Sequence, residues 1–160
     1  MTQIYPGRFT AEMEGSFVVF IIGMRINKLL AVHKWLPVAK AMPPMLKELH
    51  QHPELGFISH ELLLGARGVT TIQYWRTYEQ LERYARQGQH LEAWQRFNRA
   101  VGNDGTVGVF HETYLIEPGC SESIYVNMPR TLLAKAGSHM PVGKGRHDSR
   151  ERLKADKGLN

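Results

Sequence analysis

Two histidines have the surroundings that proton transfer or iron ligation would need. His111 lies in VGVFHETYLIEP, residues 107–118. By strand alternation it shares a face with Val107, Val109, Thr113 and Leu115, while Glu112 points the other way with Phe110, Tyr114 and Ile116. A histidine and a glutamate in so apolar a strand are costly to bury unless paired. The run therefore reads either as a hydrogen-bonded core histidine beside a strand-edge glutamate, or as a general base bordering a cavity. His90 opens HLEAWQRFNRAV. His90, Trp94, Phe97 and Val101 are spaced four, three and four apart, which puts them on one helix face. The positive end of a helix disfavours imidazolium, and neutral imidazole is the form that binds iron or takes a proton. The competing reading is a residue that only caps or packs the helix start.

Arg25 and Asn27 continue the alternating set of Phe17, Val19 and Ile21 toward one sheet end. They either orient a polar substrate atom inside a mainly apolar cavity or tie a neighbouring loop to the sheet. His50 and His52 have loose metal-like spacing but no third ligand nearby, so they read as a solvated helix end. Tyr74, Trp75, Trp94, Phe97 and Tyr114 read as core, with Met42 and Met45 filling gaps. The sequence contains no GxSxG, P-loop, dinucleotide fingerprint or HExxH.

The elements that must hold these residues follow from pattern. Ser16–Asn27 is a strand rich in Val, Ile and Phe, apolar on both alternating sets at first, and so covered on both sides. Trp35, Val38, Ala39, Met42, Met45 and Leu49 sit at helical spacing. Pro43-Pro44 predicts a break into two helical pieces. Phe57–Leu64 and Val69–Arg76 read as a hairpin around Gly65–Gly68. Helices are expected over Tyr78–Arg86 and His90–Val101, then strands over Val107–Glu117 and Ser123–Met128. This order fits an α+β sandwich with helices on one sheet face. The doubly apolar first strand implies that the other face is covered too, most simply by a second copy of the sheet in a two-fold dimer.

The chain has 160 residues, 42% hydrophobic and 22% charged, which suits one domain with a real core. The longest apolar run, Phe17–Met24, is far short of the ~20 residues of a membrane helix. The start, MTQIYPGRFTAEMEG, lacks a secretory pattern, so a cytoplasmic location is expected. The single cysteine, Cys120, excludes an internal disulfide and a Cys-based zinc cage. Of the net charge of +5, residues 137–160 carry +3 and the other 136 carry +2. The basic character is largely that of the tail, and nucleic-acid binding is not indicated. The expected organisation is an irregular lead-in over 1–15, a folded domain over 16–133, and a disordered basic tail over 137–160.

Five segments carry a family resemblance: GRFTAEMEGSFVVFIIGMRINKL, VHKWLPVAKAMPPMLKELHQHPELGF, QYWRTYEQLERYAR, WQRFNRAVG and VGVFHETYLIEPGCSESIYVNMP. Together, over about residues 7–133, they resemble a bacterial family similar to the antibiotic-biosynthesis-type monooxygenase of the fungal fumagillin pathway. The resemblance implies a ferredoxin-like dimeric α+β barrel, an antiparallel sheet with helices on one face and its twin across a two-fold axis. More distantly, QHLEAWQRF and VFHETYLIEP resemble the C-terminal half of haem-containing aldoxime dehydratases. That likeness implies His90 as a proximal iron ligand and His111 as the distal acid–base, 21 residues on. Those enzymes carry two related halves, and their catalytic serine and arginine have no matching position here.

Three functions are consistent with this. One is a monooxygenase-like oxidoreductase on a small, largely apolar metabolite, working without a cofactor, with His111 as base and Arg25 and Asn27 as polar partners. The second is an enzyme of haem b, with His90 on the iron. The third is a non-enzymatic binder of haem or another small ligand. The expected partners are a small-molecule substrate and a second copy of the chain, with neither nucleic acid nor membrane.

Overall fold

The computed structural model describes residues 3–158, apart from the side chains at 88–90, 93, 94, 96 and 100. In chain order the elements are β1 (Tyr5–Glu12), β2 (Phe17–Ile26), α1 (Val32–Gln51), β3 (Phe57–Gly65), β4 (Gly68–Trp75), α2 (Tyr78–Ala85), α3 (Gly88–Val101), β5 (Val107–Ile116), β6 (Tyr125–Met128), α4 (Leu133–Ala136), β7 (Ser138–Pro141) and α5 (Ser149–Asp156). A short 3-10 turn, Pro53–Leu55, leads from α1 into β3.

The apolar run that dominates the sequence becomes β2, an inner strand of a four-stranded antiparallel sheet ordered β3-β4-β2-β5. The connections β2–α1–β3 and β4–α2–α3–β5 each skip one strand. This is the split βαβ arrangement of an α+β, ferredoxin-like fold, with α1–α3 packed on one sheet face. Val18 packs there with Leu46, Leu49, Phe57, Trp75 and Leu81, and Met24 packs with Val101 and Val107.

Helix α1 runs unbroken through Pro37, Pro43 and Pro44, where two pieces were expected. Each proline lacks a helical donor, but all three are exposed. Burial of Leu46 and Leu49 beyond them holds the helix against the sheet. Tertiary packing outweighs local propensity here.

β6, within the strand expected over Ser123–Met128, pairs with two strands the sequence did not signal, in the order β6-β1-β7. The lead-in supplies β1, and the tail supplies β7 and α5, so neither segment is irregular as expected. The apolar side of β1 joins Tyr125, Leu133 and Ala134 against Phe17 and Tyr74, on the main-sheet face away from the helices. Part of the cover expected from a second copy is thus supplied by this chain itself. The tail docks mainly through charge. Arg152 is buried and donates to Glu122 at 2.7 Å and to two backbone carbonyls. Arg146 donates to Glu12 at 2.7 Å, and Asp156 accepts from the Gly119 amide. Among the described residues no helix is long and apolar enough to cross a membrane.

Gly23 interrupts the apolar run for a packing reason. A Cβ there would lie 2.6 Å from the Phe110 ring and 2.7 Å from Thr70 Oγ1. Its absence lets Phe110 fold across β2 on the face away from the helices.

Candidate functional site

Strand alternation turns Val18, Phe20, Ile22 and Met24 of β2 toward the helices, beside Thr71, Gln73 and Trp75 of β4. Between this face and the helices lies a small cleft, part of it open to solvent. Phe20, Ile22 and Trp75 form its floor. Met42, Met45, Leu46 and Leu49 of α1 form one wall, and Leu81, Tyr84 and Ala85 of α2 the other. The amphipathic spacing of α1 positions its wall, and Thr77 starts α2 by accepting from the Gln80 amide.

The cleft is apolar except at two places. At the floor, Trp75 Nε1 donates to Gln73 Oε1 at 3.0 Å, and Gln73 Nε2 donates to Thr71 Oγ1 at 3.2 Å. The Thr71 hydroxyl donates to the Ile22 carbonyl at 3.4 Å. All three side chains are buried. At the rim, the Tyr84 hydroxyl donates to Glu48 Oε2 at 3.1 Å. Burial, then the Glu48 carboxylate beside it, pushes the Tyr84 hydroxyl well above its ordinary range, so it remains a donor.

His111 lies on the edge strand β5, opposite Ile22 and on the helix side of the sheet. Its ring centroid is 5.6 Å from that of Phe20, a floor residue. It is exposed to solvent rather than sealed in the core, and it is related to the cleft only through Phe20, without itself lining it. Glu112 projects from the other face and accepts from the Tyr114 hydroxyl at 2.5 Å. The two are therefore not a catalytic pair.

The backbone of His90 is in the first turn of α3; its side chain lies outside the described residues. Eleven residues of helix separate it from Val101, about 16 Å of rise. His111 stands four residues into β5, about 14 Å from Val107. With α3 and β5 joined end to end by 102–106, the two backbones lie at comparable lengths along their elements from that turn.

Arg25 and Asn27 are not brought to the cleft. Arg25 is exposed at the far end of β2, paired with Gly68 and Gly108 and on the opposite face. Asn27 Nδ2 donates to the Gly105 carbonyl at 3.0 Å, and its amide donates to Thr106. It ties the loop before β5 to the sheet, the second of its two expected roles.

Sequence reasoning missed Thr71 and Gln73. The signal was present in TTIQYW, where polar residues alternate with Ile72 and Tyr74 on a central strand. It also missed His60, whose ring meets His50 at 3.1 Å. Burial, then His50 and Lys135, holds the His60 imidazole below its ordinary value. His52 instead pairs with Glu54 at 2.8 Å, so His50 and His52 part to different partners. Among the described residues, no three His, Cys, Asp or Glu side chains cluster as metal ligands would.

Comparison with known proteins fits this architecture. Monooxygenase af470 of Aspergillus fumigatus is 28% identical over 155 residues, which cover 84% of this chain and 56% of that protein. The chain thus spans little more than half the length of that curated relative. An aldoxime dehydratase, OxdRE in complex with butyraldoxime, superposes with a TM-score of 0.64 at 15% identity, covering 85% of this chain and 43% of that one. A further aldoxime dehydratase gives 0.61 at 18% identity, covering 85% and 44%. At these identities the structural likeness speaks for the fold alone. The family described as monooxygenase af470-like matches residues 17–133, from the first residue of β2 to the first of α4. The chain belongs to that family.

Proposed function

We propose that the protein is a monooxygenase-like oxidoreductase acting on a small, largely apolar metabolite in the cleft between the sheet and α1–α2. The observation that supports this reading is the His111 ring, 5.6 Å from that of Phe20, which forms part of the floor of an apolar cleft. His111 takes a proton from an acidic C–H of the substrate. The carbanion gives its electrons to dioxygen and forms a C–O bond. Loss of water from the resulting hydroperoxide leaves a carbonyl, with one oxygen atom in the product and the other in water. The substrate CH2 supplies all four electrons, two for each oxygen atom, the proton taken by His111 returns to the peroxide, and the apolar walls limit access of bulk water to the carbanion.

The test is oxygen uptake with 2-tetralone, an apolar ketone with an acidic benzylic C–H, together with product mass under 18O2. Enzyme-dependent uptake with one labelled atom in the product supports the reading. No uptake with this ketone or with a panel of enolisable bicyclic ketones and phenols would overturn it.

A second reading is a haem enzyme, supported by the comparable lengths along α3 and β5 at which His90 and His111 stand from the turn that joins these elements. A neutral imidazole suits haem iron. His90 would hold the iron, which would supply Lewis-acid and redox chemistry, while His111 would hold or deliver a proton. An absorption spectrum of protein purified from haem-supplemented cells decides: a Soret band lost in His90→Ala supports this reading, and a colourless protein refutes it.

The proposed assembly is a homodimer through the half of the sheet face that β1, β6 and β7 leave open. Leu63, Phe110 and Tyr114 are each about half exposed there. Covering such area is worth about 25 cal/mol per Å2. A monodisperse monomer at micromolar concentration in sedimentation would contradict it.

A further inference from the structure

The amide of Gln73 is buried in the floor of the cleft, and its neighbours fix which way it points. An indole N–H can only donate. The Gln73 atom 3.0 Å from Trp75 Nε1 is therefore its oxygen. That puts Nε2 on the side of Thr71, where it donates to Oγ1. The Thr71 hydroxyl proton is directed at the Ile22 carbonyl, so its oxygen is available to accept. An amide nitrogen carries two hydrogens, and Thr71 takes one. Of the other cleft side chains, Phe20, Ile22, Leu46, Leu49 and Leu81 contain no acceptor, Met42 and Met45 offer only weakly accepting thioethers, and the Tyr84 hydroxyl stands at the rim with Glu48.

We infer that Gln73 is the ligand-recognition residue of the cleft: its second Nε2 hydrogen donates to a single oxygen acceptor on an otherwise apolar, ring-sized ligand. The ligand class is a ketone, or the phenolate or enolate oxygen formed on losing the acidic proton. This rests on the cleft being the substrate site proposed above. Hydrogen bonds to an ionised acceptor are roughly twice as strong as neutral ones. Gln73 therefore grips the enolate more tightly than the ketone and favours deprotonation. The ladder of Thr71, Gln73 and Trp75 holds the amide ready, so no side chain has to reorient when charge develops.

The test compares 2-tetralone with tetralin, the same bicycle without the oxygen, by titration calorimetry on the full chain. Wild type should prefer the ketone about tenfold, the worth of one net hydrogen bond. In Gln73→Met, a substitution of similar shape, that preference should vanish while tetralin affinity is retained. The carbonyl 13C resonance of bound, labelled 2-tetralone supplies a reading in wild type alone. It should lie downfield of its position in cyclohexane, as donation to the oxygen requires. This measurement decides the matter if the Met variant does not fold. An undisplaced carbonyl resonance, or a ketone preference that survives in Gln73→Met, overturns the inference. Equal binding of both probes to wild type removes Gln73 and leaves the cleft. Binding of neither removes the cleft and the inference together.

Discussion

The two faces of the main sheet are built by different means. On the helix side, α1–α3 present apolar stripes, and Trp75, Val18, Leu49 and Leu81 close a core around one buried polar ladder. On the other side, both ends of the chain fold back as a small sheet over Phe17 and Tyr74. The docked tail is held there by ion pairs, Arg146 with Glu12 and Arg152 with Glu122, more than by apolar area. The difference teaches where each kind of energy resides. The helix face carries stability and the cleft, whereas the tail on the second face is fastened by groups that titrate and can be removed singly.

The largest effect that would sharpen this contrast is on the helix side. Trp75 is fully buried and packs edge-on against Phe57 at 5.4 Å. Trp75→Ala should cost about 3–5 kcal/mol in denaturant unfolding. A loss below about 1 kcal/mol would mean that this face does not hold the core.

Arg152→Ala should act more weakly and more locally. It leaves Glu122 without its guanidinium and two carbonyls without donors. Because Glu122 is partly solvated, the cost should be about 2 kcal/mol rather than the 3–5 of a sealed pair. Hydrogen exchange should quicken in β7 and α5 while α1 keeps its protection. Equal quickening in both would erase the distinction between the faces.

The smallest effect is a slope with pH. His139 of β7 stacks on Phe9 at 4.6 Å, and both its ring nitrogens are buried without a hydrogen-bond partner among the described residues. Burial, then Arg130, holds its imidazole below the ordinary value of 6.5. The folded state prefers the neutral ring, so the unfolded chain binds more protons. This contribution is fully present above about pH 6.5 and is lost as pH falls toward the lowered value. The protection factors of the β7 amides, corrected for the intrinsic pH dependence of exchange, should fall over that window, and His139→Phe should flatten the fall. A flat profile in wild type would contradict this. His60 has the same sign, so the β7 amides, not global stability, isolate His139.

The four strands of the main sheet and the helices over it were legible because period-2 and period-3.6 patterns reflect burial on that side. The second sheet was not, because its cover is split between the two chain ends and β7 has only four residues. A charged segment docked by Arg146, Arg152 and Asp156 has the composition of a solvated tail. One local signal was there to read. Asp148 and Glu151 form a reciprocal cap, Asp148 accepting from the Glu151 amide and Glu151 from the His147 amide. That spacing is a mark of a helix start. At the site, the helix-side placement of His111 followed from strand alternation, while both roles of Arg25 and Asn27 stayed open because alternation gives a face but not which face holds the cleft. Gln73 was hidden because a polar residue on a central strand looks the same whether it is structural or receives a ligand.

The central claim is that His111 removes a proton from a substrate held in the helix-side cleft. It is tested most directly without oxygen, by following exchange of the benzylic deuterons of 2-tetralone into water. Wild type should catalyse the exchange, and His111→Ala should slow it by about 10²–10⁴-fold, the usual worth of a positioned base, with 2-tetralone affinity retained. Catalysed exchange that proceeds at the wild-type rate in His111→Ala would contradict the account.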